Sequence, residues 1–80
     1  MIILIDKPRN GWCHLVGDTI PNLHEFAKRI GVKRCWFENK RNKKQPHYDI
    51  RIDKLELAIE SGAKRVSNKE LFIFLDKTYN

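Results

Sequence analysis

The stretch "VKRCWFENKRNKKQPHYDI", residues 32–50, decides how this chain folds. Its first six residues, Val32 to Phe37, have the apolar and aromatic character of a β-strand. Residues 38–46, "ENKRNKKQP", then read as a charged loop, and His47-Tyr48-Asp49 as a polar turn ahead of a helix. The competing reading makes "WF" a turn and "HYDI", residues 47–50, the true strand. The first reading gives a regular alternation of elements, and the fold expectation rests on it.

Upstream, "DTIPNLHEFAKRIG", residues 18–31, places Leu23, Phe26, Ala27 and Ile30 at the i, i+3, i+4, i+7 spacing of one helix face. Asp18 or Thr19 can cap its start, Pro21 is tolerated in the first turn, and Gly31 suits the left-handed position after its end. Before it, Met1-Ile2-Ile3-Leu4-Ile5 is a β-branched run without polar alternation, as in a fully buried strand. It stops at "DKPRNGW", where Pro8 and Asn10-Gly11 mark a loop or tight turn.

Downstream, "IRIDKLELAIESG", residues 50–62, reads as a second helix with Asp53 as its cap. "AKRV" reads as a third strand. "SNKELFIFLDK", residues 67–77, is a third helix, in which Ser67 and Glu70 form a capping box and Val66 and Leu71 hold the staple positions. The expected order is β-α-β-α-β-α: a small single α/β domain over residues 1–80, with a mostly parallel three-stranded sheet, Met1 to Ile5 at its centre and helices packed on it.

Eighty residues bury only a modest core, and 32% of them are charged. The formal net charge of +6 and the pI of about 9.6 suit polyanionic partners: nucleic acid, nucleotides, an acidic protein or an anionic membrane. The apolar run at the start is too short for a signal peptide, and no stretch reaches the length of a membrane span. The expected location is therefore cytoplasmic, with no membrane partner. Cys13 and Cys35 stand in no paired motif and are expected as reduced thiols.

Several motifs carry a resemblance: "IDKPR", "WCHLVGDT", "LHEFAKRIGVKRCWF", "PHYDI" and "AIESGAKRVS". In this order they are similar to a family of short bacterial and bacteriophage proteins known as a domain of unknown function. The residues that carry the likeness are Asp6, His14, Asp18, Leu23, His24, Trp36, Phe37, His47, Tyr48 and Asp49. The resemblance implies no activity, and its phage members imply a host-takeover or anti-defence setting.

Three histidines and three aspartates lie in these motifs: Asp6, His14, Asp18, His24, His47 and Asp49. The leading reading is a structural hydrogen-bonding network, ahead of an anion or nucleotide site, and ahead of a metal or acid/base site. With Tyr48 they form the candidate ligand-binding set. Lys40, Arg41, Lys43, Lys44 and Arg51 are the candidate phosphate contacts. Trp36, Phe37 and Tyr48 flank the basic run, where an exposed ring could stack on a base. No glycine-rich phosphate loop, paired-cysteine zinc motif or nucleophile elbow is present.

Three functional readings follow. The first is a small basic protein that binds a phosphate-bearing ligand, nucleic acid or nucleotide, without turnover and without a cofactor. The second is a metal-dependent phosphodiesterase or nuclease built on the His/Asp set. The third is an interaction module that inhibits a host protein.

Overall fold

The computed structural model describes residues 1–38 and 45–79. Strands β1 (Ile3–Ile5), β2 (Trp12–Gly17), β3 (Phe37–Glu38), β4 (His47–Arg51) and β5 (Lys64–Arg65) form one sheet in the order β3-β4-β2-β1-β5. Three helices accompany it: α1 (Ile20–Arg29), α2 (Leu55–Glu60) and α3 (Asn68–Tyr79). The β1–β2, β2–β4 and β3–β4 pairings are antiparallel, and only β1–β5 is parallel. The expectation of a three-stranded, mostly parallel sheet in β-α-β-α-β-α order is thus overturned.

Two local features cause the difference. Asn10 and Gly11 both adopt positive φ, 53° and 82°, and Arg9 and Trp12 exchange both backbone hydrogen bonds across them, at 2.8 and 3.0 Å. This is the two-residue hairpin turn for which Asn-Gly is suited. It folds β2 back against β1, so the first crossover is a hairpin and not a helix. The second feature lies in residues 32–50. Arg34–Trp36 is a turn of 3₁₀ helix, Phe37–Glu38 is a two-residue strand, and His47–Arg51 is the substantial strand among the described residues. "HYDI" is therefore strand, not a turn before a helix.

The sheet is covered on both faces, and strand alternation decides what goes where. Ile3 and Ile5 of β1, Cys13 and Leu15 of β2, and Tyr48 and Ile50 of β4 pack in one core with Leu23, Phe26 and Ala27 of α1 and Ala58 of α2. Leu4 and Val16 point to the opposite face and pack with Val66, Leu71 and Leu75 under α3. The expectation that Met1 to Ile5 forms the central strand is also corrected: β2 holds the centre, β1 lies between β2 and the edge strand β5, and Met1 and Ile2 lie outside β1 and are exposed.

The helix ends follow their sequence signals. Thr19 Oγ1 accepts from Asn22 N–H at 3.1 Å, and Gly31 takes φ 78° just past α1. Ser67 and Glu70 close the capping box, each side chain accepting from the other's backbone N–H at 3.1 Å. The second helix is shorter than expected. It begins at Leu55, behind a 3₁₀ turn over Ile52–Lys54, and has no side-chain cap from Asp53. Among the described residues no helix is long and apolar enough to cross a membrane. Cys13 is buried, Cys35 is exposed, and both are free thiols.

Candidate metal centre

The sheet face that carries Leu4 and Val16 continues along β2 and β4 to a row of polar residues. Alternation from Val16 places His14 and Trp12 on this face. The register sets His14 opposite Asp49 and Trp12 opposite Arg51. His47 precedes Asp49 by two positions and shares its face. Just beyond β1, Asp6 N–H donates to the His14 carbonyl at 3.2 Å, which brings Asp6 beside His14 from the other side.

Asp6 is fully buried, and its carboxylate serves His14. Oδ1 accepts from the His14 backbone N–H and Oδ2 from His14 Nδ1, both at 2.7 Å. Asn68 at the start of α3 donates to Oδ2 at 2.7 Å. Burial pushes the Asp6 carboxyl pKa up, but the hydrogen bonds from His14 and Asn68 outweigh it and hold the group below the ordinary 3.8.

His47 is oriented in a similar way. Its Nδ1 donates to the Gln45 carbonyl at 2.9 Å, and the Gln45 side chain is itself held by Asp76 at 3.0 Å. A carboxylate and a carbonyl can only accept, so both Nδ1 atoms carry the proton; in the neutral imidazole this leaves the Nε2 lone pair as the metal-binding position. Those Nε2 atoms face Asp49. His47 Nε2 lies 3.3 Å and His14 Nε2 3.8 Å from Asp49 Oδ1. The imidazoles meet edge to face with ring centroids 5.3 Å apart, and Phe72 of α3 packs 5.8 Å from His14.

One ligand atom from each of His14, His47 and Asp49 falls within 4.8 Å of the others. Bonds of about 2.0–2.2 Å from a tetrahedral ion set its ligands about 3.3–3.6 Å apart, and the two Nε2 atoms lie 3.3 and 3.8 Å from Asp49 Oδ1. Two imidazoles and one carboxylate, with each imidazole fixed through its other nitrogen, are a donor set for zinc, manganese or iron more than for magnesium. The centre lies at one side of a cleft of about 620 Å³ lined by Arg9, Trp12, His14, Trp36, Glu38 and Asp49, among others. No residue of α3 lines it.

The other candidate residues go elsewhere. Tyr48 points to the α1 face and is buried there, with its hydroxyl 2.8 Å from His24 Nδ1. Phe37 packs on both rings, at 4.6 Å from His24 and 5.3 Å from Tyr48. Burial, aided by the Arg34 charge, lowers the His24 pKa; burial raises that of Tyr48 against the pull of Arg34. The pair is thus a neutral, packed contact across the sheet from the centre. Asp18 braces the start of α1, accepting from Thr19 N–H at 3.0 Å and Asn22 Nδ2 at 3.1 Å. Arg51 stacks its guanidinium 5.2 Å from the Trp12 ring centroid. Lys40, Arg41, Lys43 and Lys44 lie outside the described residues.

Sequence reasoning did not single out Asn68, the Gln45 carbonyl, Arg9 or Trp12. The signal for Trp12 was present: once Asn10-Gly11 is read as a hairpin turn, Trp12 and His14 fall on one face of a strand.

Fold and centre together define a small mixed-sheet α/β domain with a two-histidine, one-carboxylate cluster on one sheet face. The chain belongs to the family described as "Protein of unknown function (DUF4031)", which matches residues 3–78. No curated protein and no solved structure matches it.

Asp6→Asn tests the orienting role. Asparagine presents donor hydrogens where His14 and Asn68 also donate, and it removes the charge that fixes the His14 tautomer. Affinity for Zn²⁺ is expected to fall by about 10- to 100-fold, read by calorimetric titration. Stability supplies a second readout. The Asp6 carboxyl has a folded pKa below its ordinary 3.8, so its contribution is present above about pH 4 and is lost as pH falls through the lowered value. In acid denaturation that part of the transition is expected to disappear in Asp6→Asn.

Proposed function

We propose that this protein hydrolyses phosphoric esters with a divalent metal ion held by His14, His47 and Asp49. The observation that carries the reading is the convergence of three ligand atoms within 4.8 Å, beside an open cleft. Structural zinc sites close with four protein donors, whereas hydrolytic ones use three and keep a position for water or substrate. Two neutral imidazoles and one carboxylate leave a bound divalent ion with net positive charge. Arg9 in the cleft and the formal +6 of the chain favour an anionic substrate.

Held by His14, His47 and Asp49, a divalent ion would supply a bound water of pKa about 7 and would offset charge on a phosphoryl oxygen. The chain's part is to hold the ligands and exclude the wrong geometry. Asp6 and the Gln45 carbonyl keep both Nε2 atoms aimed at the ion, and Arg9 attracts the anion. In the reaction the water oxygen bonds to phosphorus and the ester P–O bond breaks. The leaving oxygen takes up a proton from the attacking water, so one water is consumed per ester.

This reading is put ahead of binding without turnover because two imidazoles oriented toward one carboxylate supply a metal donor set that stacking or charge alone does not use. The test uses tag-free protein with Zn²⁺, Mn²⁺ or Mg²⁺ and the chromogenic esters p-nitrophenyl phosphate and bis-p-nitrophenyl phosphate. The expected result is nitrophenolate release that stops with EDTA and returns on adding Zn²⁺ or Mn²⁺. Folded protein with none of these ions supporting turnover of either ester would remove catalysis.

A further inference from the structure

The chain has two tryptophans, Trp12 and Trp36, and both remain exposed at the surface of one cleft, at 41% and 37%. A small domain gains stability by burying its largest side chains, and the core here is built instead from aliphatic residues with Phe26 and Tyr48. The tryptophans lie against each other edge to face, with centroids 6.4 Å apart and planes at 65°. Trp12 comes from the sheet face, two residues before His14 on the same strand, which separates them by roughly 7 Å. Trp36 comes from the 3₁₀ turn across the cleft. Arg51 steadies Trp12 from the neighbouring strand.

We propose that Trp12 and Trp36 take the base of a nucleoside phosphate, whose phosphate reaches toward His14 and Asp49 in the same cleft. The inference rests on the metal-centre reading for the phosphate end only. The base end rests on the tryptophans. A cleft of about 620 Å³ is of the size that holds small organic ligands. The span from a nucleobase to its own phosphate is of the same order as the step from Trp12 to His14. Arg9, which lines the cleft, supplies a cation for the phosphate. Ring faces stack on any base, so recognition is tolerant of base identity. The ligand is a free nucleotide or a nucleotide within a single strand. A duplex, whose base faces are already stacked, is excluded from this mode.

Because Trp12 and Trp36 are the only tryptophans, emission excited at 295 nm reports on this cleft alone. Zn²⁺-loaded protein is titrated with AMP, CMP, GMP, UMP, ribose 5-phosphate, inorganic phosphate, a short single-stranded oligonucleotide and its duplex. The expected result is saturable quenching by all four mononucleotides at similar affinities, with little from ribose 5-phosphate or phosphate. A tighter single strand than mononucleotide would identify nucleic acid as the source of the ligand. The reverse order would identify free nucleotides. Trp36→Leu is expected to weaken nucleotide binding by about 5- to 150-fold, read by calorimetry, while Trp36→Phe retains most of it because a ring face remains.

The metal enters as a separate arm. In EDTA, AMP is expected to lose affinity toward that of adenosine, whose binding stays unchanged. Nucleotide quenching that ignores both EDTA and Asp49→Asn would keep the base subsite and overturn the metal reading. No quenching by any nucleotide, or ribose 5-phosphate binding as tightly as AMP, would overturn the base subsite whatever the metal does.

Discussion

The double variant His14→Ala/His47→Ala is expected to bind Zn²⁺ more weakly than the wild type by well over about 100-fold, and to lose metal-dependent ester hydrolysis with it. Removing only the outer partner of a ligating histidine costs about 10- to 100-fold, so removing two ligands costs more. The imidazoles supply two of the three donors, and Asp49 alone holds an ion no better than any surface carboxylate. Calorimetry reads the affinity, and nitrophenolate release reads the activity. His47 is largely buried, so the double variant is checked for folding by circular dichroism. Asp49→Asn provides a gentler counterpart. Its side chain is 44% exposed and keeps its shape, so affinity is expected to fall while stability stays within about 0.5 kcal/mol.

The second large effect concerns the fold that holds the centre. Leu15→Ala is expected to cost about 2–5 kcal/mol, the range for emptying a leucine site in a packed core. Leu15 is wholly buried at the middle of β2, the central strand, and pairs with Ile5 on one side and Tyr48 on the other. It packs in the core that α1 covers, so its cavity has strand on two sides and helix above. A domain of this size has a stability near the low end of about 5–15 kcal/mol, so such a loss consumes much of it. Urea unfolding is expected to show a lowered midpoint with an unchanged slope. An unchanged midpoint would show that β2 is not the centre of the sheet.

β2 is also where the sequence was hardest to read. "WCHLVG" is apolar toward both faces, because Cys13 and Leu15 lie under α1 while Val16 lies under α3. A strand buried on both faces shows no alternation, and its single imidazole looks like loop chemistry. The β1 run was legible despite the same problem, because four consecutive residues, Ile2 to Ile5, are branched aliphatics. The ends of α1 and α3 were legible because caps are local: Thr19, Gly31 and the Ser67–Glu70 pair act within a turn of their own position. Residues 32–50 misled for a physical reason. Trp36 and Phe37 have strand propensity, yet Trp36 ends a 3₁₀ turn where its ring borders the cleft.

The candidate set of seven mixed two faces of one sheet. Reading His47-Tyr48-Asp49 as a turn put three side chains together; as a strand, the same residues separate. His47 and Asp49 go toward α3 and meet His14, while Tyr48 goes through the sheet to His24. Asp6 joins the first group only through the Asn10-Gly11 hairpin, a contact across eight residues that no periodicity reports.

The most direct test of the account is a Zn²⁺ titration of ¹⁵N-labelled, tag-free protein followed through the side-chain nitrogens of its three histidines. His24 is an internal control, since it lies across the sheet with its Nδ1 against Tyr48. The account predicts that one equivalent of Zn²⁺ shifts the Nε2 resonances of His14 and His47 together and leaves His24 in place, with both Nδ1 atoms still protonated. Resonances of His14 and His47 that do not move, or a response shared equally by all three histidines, would contradict it.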